Sequence, residues 1–140
     1  MIILGVDLGS ARTGVAVCDK TELLATPLEV IQERDRTRLA QRLTALAAER
    51  KAEAFVLGLP RNMDGSEGGS AVAAREFGAV LAEMSGLPVE FSDERGTTLT
   101  AHNLLNDVNA RGKRRKAAVD AVAATLILQN HLDMRRLRGN

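Results

Sequence analysis

The stretch AEAFVLGLP carries a short, continuous apolar run, too short for a core helix. An uninterrupted apolar run of this length reads as a strand covered on both faces, the kind found in the middle of a parallel sheet. Its flanks agree. Before it, DRTRLAQRLTALAAERK sets Leu39, Leu43, Leu46 and Ala47 at helical spacing, with Arg and Gln opposite, so an amphipathic helix packs on the sheet. After it, the polar loop RNMDGSEGGS leads into a helix from about Ser70 to Met84. LPVEFSDE is the next strand. TTLTAHNLLNDV follows as a helix with Thr97 or Thr98 as N-cap, and AAVDAVAATLILQNHLDMRRL as a long final helix.

The first thirty residues differ in kind. IILGVDL (2–8) and GVAVCD read as two short strands, and the connection GSARTG is short enough to join them as an antiparallel hairpin. A third strand lies within ELLATPLEVI, where Pro27 marks an edge position or a break. The order predicts one α/β domain over residues 1–140 with a mixed sheet: an antiparallel meander, then parallel crossovers.

At 140 residues one domain must hold the whole site or share it with a partner. No apolar run is long enough to span a bilayer and the N-terminus lacks signal-peptide features, which points to the cytoplasm and away from membranes. Cys18 is the single cysteine and reads as a small buried strand residue. Net charge is only +1, but five of the six residues in RGKRRK (111–116) are basic, and Arg135, Arg136 and Arg138 add a second cluster. With three Phe, no Trp and no Tyr, a nucleic acid would be held through its phosphates rather than by stacking, and binding would depend strongly on salt.

Three acidic positions sit in apolar surroundings. Asp7 lies in the first strand among Ile2, Ile3, Leu4, Val6 and Leu8, where an uncompensated carboxylate costs several kcal/mol. Asp93 and Glu94 end the strand in FSDERGTT; adjacent strand residues face opposite ways, so one acts directly and the other supports. Asp120 lies in a helix lined by Ala117, Ala118, Ala121, Ala123 and Ala124, which lets the helix approach the sheet closely. Stabilisation by the helix dipole near an N-terminus is the alternative account of Asp120. Gathered at one point, the three acids suit Mg²⁺ or Mn²⁺, activating water for attack on a phosphodiester, with one ion or two. The scarcity of His and Cys argues against zinc. His102 and His131 then read as ordinary helix residues, His131 on the solvent side.

Taken together and in this order, GVDLGSARTGVAVCD, LGLPRNMDGSEGGSA, DERGTT and VDAVAATLIL resemble the YqgF/RuvX family of bacterial Holliday-junction-resolvase-like or pre-16S rRNA nuclease proteins. The resemblance spans essentially the whole chain. It implies a ribonuclease H-like fold with a mixed five-stranded sheet, and a divalent-metal site of Asp7, Glu94 and Asp120 with Asp93 as alternative or auxiliary acid. It also implies a role in maturing the 5′ end of 16S rRNA. One departure bears on junction resolution: resolvases of this fold carry a fourth acid one turn after the helix aspartate, where this chain has Ala123 or Ala124.

Arg12 and Thr13 in the hairpin turn, Arg61 and Asn62 past the fourth strand, Arg95, and the run Arg111, Lys113, Arg114, Arg115 and Lys116 just before the Asp120 helix are the candidate nucleic-acid contacts. The expected partner is precursor rRNA, with branched DNA as the resolvase alternative, and the expected assembly is a monomer or homodimer. A non-catalytic RNA-binding assembly factor is the non-enzyme alternative. An actin-like kinase, which shares the acid followed by a glycine-bounded hairpin, needs a second lobe that 140 residues do not supply.

Overall fold

The computed structural model describes residues 1–60, 68–93 and 112–138, and for 93 and 112–121 the backbone alone. Five strands form one sheet: β1 (Ile3–Asp7), β2 (Arg12–Cys18), β3 (Ala25–Gln32), β4 (Ala54–Leu59) and β5 (Val89–Asp93). Three helices flank it: α1 (Arg36–Arg50), α2 (Gly69–Ser85) and α3 (Gly112–Leu137). The strand order is β3-β2-β1-β4-β5. β1, β2 and β3 pair antiparallel, while β4 runs parallel to β1 and to β5. The mixed sheet expected from the sequence is therefore present, and the apolar run 54–59 is buried at all six positions beside β1. The helix expected over 97–108 lies outside the described residues.

Alternation sorts the core into two layers. Leu4 and Val6 of β1, Val15 of β2 and Phe55 and Leu57 of β4 pack against Leu39, Leu43 and Leu46 of α1 and Phe77 and Leu81 of α2. Ile3, Ala16, Cys18, Ala54 and Val56 face the other way, against Ala124, Ile127, Leu128 and Leu132 of α3. Asp35 caps α1 by accepting the Arg38 N–H at 2.9 Å, a bond type worth about 1 kcal/mol.

Two positions in the first hairpin tolerate only glycine. A Cβ on Gly9 would lie 2.0 Å from the Arg12 carbonyl oxygen, and one on Gly5 would lie 2.6 Å from Leu128 Cβ and 3.1 Å from the Ala124 carbonyl oxygen. The first keeps the turn tight. The second lets α3 lie directly on β1. Pro27 falls on edge strand β3, as its chemistry requires, where a bulge shifts the β2–β3 register between Val15 and Ala16.

The last helix differs from expectation at its start. It begins at Gly112, so Lys113, Arg114, Arg115 and Lys116 belong to its first turns rather than preceding it. Asp120 is thus more than two turns inside α3, beyond the reach of the dipole account, which fades within the first turn.

Candidate functional site

Asp7 is the last residue of β1, half-buried, at the end of the sheet where β1, β4 and β5 all finish. Its antiparallel partner on β2 is Gly14. On the other side, carrying the Val6–Leu57 register forward by one residue sets Gly58 of β4 beside it. Both neighbours are buried and lack a Cβ, so neither paired residue brings a side chain up against the carboxylate. In the sequence Gly14 reads as a boundary of the hairpin, and nothing singles out Gly58. The readable signal was a glycine at the same end of two strands that both flank an acid.

The path of α3 fixes what else reaches this place. Its C-terminal end lies by the start of β1: Arg135 Nε donates to Glu22 Oε1 at 2.8 Å, and the other Glu22 oxygen accepts from the Met1 amine at 2.7 Å. Further back, His131 Nε2 lies 2.9 Å from a Glu90 oxygen, and Asn130 Nδ2 donates to Ser92 Oγ at 3.4 Å. Ala124 and Leu128 sit on Gly5. The helix therefore runs antiparallel to β1. Four residues back from Ala124 is about 6 Å along the helix, and two residues on from Gly5 is about 6.7 Å along the strand. Both steps go the same way, so positions 120 and 7 share one level, and 120 belongs to the stripe Ala124–Leu128–Leu132.

On β5 the face is set by Glu90 and Ser92, which meet α3, while Val89 and Phe91 pack into the layer of α1 and α2. Position 93 falls in phase with Val89 and Phe91, opposite to Asp7. Glu94 lies outside the described residues, as do Arg61, Asn62, Arg95 and Arg111. Among the described residues no three His, Cys, Asp or Glu side chains form a metal-binding group. The donor chemistry at Asp7 nevertheless fits a hard divalent cation: a half-buried carboxylate, glycine on both flanking strands, and a second aspartate position at the same level.

Three expectations change. Thr13 lies within β2 rather than in the turn, is fully buried, and its Oγ1 accepts the Gly9 N–H at 3.4 Å; it fixes the hairpin and has no surface for a nucleic acid. The cause is that β2 begins two residues earlier than GVAVCD, at Arg12. Arg12 alternates onto the Asp7 face, two residues beyond Gly14. His131 is buried, 8% exposed, not on the solvent side. Burial pushes its pKa down while Glu90 pulls it up. Cys18 is buried as expected, 4% exposed, and desolvation raises its thiol pKa. No helix among the described residues is long and apolar enough to cross a membrane.

Ala123 and Ala124, the positions where the resemblance implied a missing fourth acid, are both fully buried, and the Ala124 carbonyl faces Gly5. A carboxylate at position 124 would have to displace the helix from the strand.

Residues 1–134 match the family described as "RuvX: Holliday junction resolvase". A protein of Lactococcus lactis subsp. lactis (strain IL1403) named "Putative pre-16S rRNA nuclease" is 44% identical over 138 residues, covering 97% of this chain and 96% of its own length. One of the same name from Cereibacter sphaeroides (strain ATCC 17029 / ATH 2.4.9) is 46% identical over 131 residues, covering 94% of this chain and 82% of its own. Among solved structures, RuvC of T. thermophilus in complex with Holliday junction substrate superposes with a TM-score of 0.61 at 19% identity, covering 97% and 96% of the two chains. The Fowlpox virus resolvase with Holliday junction DNA gives a TM-score of 0.57 at 11% identity, covering 96% of this chain and 99% of the other. At those identities the likeness is one of fold, and the fold is ribonuclease H-like.

Proposed function

The chain belongs to the RuvX (YqgF) family, and from that premise we propose that it is a metal-dependent nuclease that hydrolyses phosphodiester bonds in structured RNA, at the 5′ end of precursor 16S rRNA. The substrate follows the name its relatives carry. The observation that carries the chemistry is the level shared by Asp7 and position 120, with glycine on both strands flanking Asp7.

In this reading Asp7, Glu94 and Asp120 hold Mg²⁺ or Mn²⁺. Glu94 is preferred to Asp93 because the two-residue period that puts Glu90 and Ser92 on the Asp7 face leads in the sequence to 94. Asp93, in the opposite phase, serves as the supporting acid. The bound ion supplies a nucleophilic water at neutral pH and stabilises charge on the phosphoryl oxygens. Gly14 and Gly58 put no side chain beside Asp7, which keeps the two flanking strands from crowding its carboxylate. Arg12 lies on the Asp7 face at the same end and pairs with a phosphate, and the basic first turns of α3 bind the strand through its charge. Arg61, Asn62, Arg95 and Arg111 complete this set of contacts. No histidine is needed as general base, and His131 is engaged with Glu90.

The test is cleavage of an RNA carrying the 16S 5′ leader, set against a four-way DNA junction. Asp7→Asn abolishes metal-dependent cleavage while the thermal transition persists; full activity in that variant refutes the assignment. Symmetric cutting of the junction, with the RNA left intact, moves the substrate to branched DNA. Calorimetric titration with Mn²⁺ loses its binding heat in an Asp7→Ala, Glu94→Ala double variant.

A further inference from the structure

The end of the sheet that carries Asp7 continues sideways into a basic groove. β3 ends at Gln32, level with the start of β2 at Arg12, so Gln32, Glu33 and Arg34 lie at the same end of the sheet as Asp7. A shallow cavity of about 420 Å³ there is lined by Ala11, Arg12, Gln32, Glu33 and Arg34. Arg38 follows one turn on. Arg42, four residues further, lines the next cleft beside Glu29 and Ile31 of β3, which turns the Arg38–Arg42 stripe toward the β3 edge.

Arg34, Arg38 and Arg42 are exposed, and no ion pair joins them to a carboxylate among the described residues. The acids nearby in sequence have other work: Glu33 accepts the Asp35 N–H at 3.2 Å, and Asp35 accepts the Arg38 N–H. Folding gains little from these cations. Arg36 and Arg38 occupy the first turn of α1, which holds no acid, at the helix end whose dipole already repels positive charge. Arg36 is drawn aside over the Phe77 ring, 6.0 Å from its centre. Arg34 and Arg38 are left pointing at solvent beside the groove. A polyanion lying in it reverses the sign of that repulsion.

We propose that Arg12, Arg34 and Arg38 form a phosphate track that holds a duplex arm of the RNA substrate across the β3 edge, outside the cleavage site. It ends before Arg42, where Glu29 and Glu49 line the same cleft. The inference rests on the nuclease reading above and extends it from Arg12, which that reading already uses, to Arg34 and Arg38, which it does not.

The test uses fluorescence anisotropy with a labelled RNA hairpin bearing a 5′ single-stranded tail, titrated in the Asp7→Asn protein between about 50 and 200 mM salt. Each duplex phosphate contact contributes about 0.9 to the slope of log Kd against log salt. Arg34→Gln with Arg38→Gln lowers the slope by about 1.8 and weakens binding at 0.1 M salt by up to about sixtyfold. Arg34→Lys with Arg38→Lys restores the slope. Arg50→Gln, at the far end of α1, changes neither quantity. An unchanged slope in the Gln pair overturns the track, and so does an equal loss in Arg50→Gln, which would mark a response to net charge alone. The two readings fail separately. A protein that cleaves no RNA yet shows the slope change refutes the nuclease and keeps the track; one that cleaves RNA with an unmoved slope does the reverse.

Discussion

Adding one methyl group to Gly5 lifts α3 from β1. The new Cβ would meet Leu128 Cβ at 2.6 Å and the Ala124 carbonyl oxygen at 3.1 Å, whereas carbon–carbon contact is comfortable near 3.5–4.0 Å. Neither neighbour is a flexible chain end, so the helix itself must retreat by about 1 Å. Overpacking of this kind costs about 1–3 kcal/mol, offset by the roughly 0.5–1 kcal/mol that alanine gains over glycine in a strand. The net loss of about 1–2 kcal/mol lowers the melting temperature of a chain this size by about 3–7 °C. Position 120 moves with the helix, and a misplacement of about 1 Å at a reacting centre costs up to about a hundredfold in rate. Gly5→Ala is therefore measured twice: by thermal melting, and by single-turnover RNA cleavage well below the transition with saturating Mn²⁺. Adding Leu128→Ala gives no rescue, because alanine keeps the Cβ that collides. An unchanged melting temperature and rate in Gly5→Ala, or rescue by Leu128→Ala, refutes this account of how the helix is seated.

Glu22 lies below the usual carboxylate range because the Met1 amine bonds to it, with Arg135 adding to the effect. A depressed carboxylate stabilises the fold above its unfolded pKa of about 4.5 and loses that contribution as pH falls through the lower folded value; Glu22→Gln costs about 1 kcal/mol at pH 7 and flattens that acid limb in urea titrations. His131 is also depressed, by burial against a smaller upward pull from Glu90. Its neutral form is favoured in the fold, so stability present above about pH 6.5 is lost as pH falls through the folded pKa, and His131→Gln removes this part of the slope of urea midpoint against pH. Thr13→Val keeps the buried volume and loses the weak bond from Gly9; it costs about 1 kcal/mol in chemical denaturation and leaves RNA affinity unchanged.

Much of this architecture is legible without coordinates, and the reasons differ by element. The run 54–59 declares a central strand because only burial on both faces suits six consecutive apolar residues. Pro27 declares an edge because a missing N–H is harmless there. Asp7 stands out by its charge among aliphatic residues. The errors fall where local pattern and tertiary packing disagree. Arg12 and Thr13 look like turn residues from their polarity, yet the hairpin closes over four residues and draws both into β2. The basic run 111–116 reads as preceding the Asp120 helix, yet Lys and Arg are good helix formers and the helix extends back to Gly112. His131 reads as solvent-facing beside the arginines that follow it, but its partner is Glu90 on a strand forty-one residues earlier, which no helical spacing reveals.

The bulge beside Pro27 also governs how copies of the chain meet. An open edge strand invites another strand to continue the ladder, which needs an unbroken series of N–H groups and an even two-residue beat. Pro27 brings no N–H, and the register shift opposite Val15 and Ala16 interrupts the beat midway along β3. Sheet growth through this edge is blocked by the covalent structure of the chain. β3 is thereby protected against runaway strand addition, and a second copy that docks here must do so through side chains rather than through shared backbone.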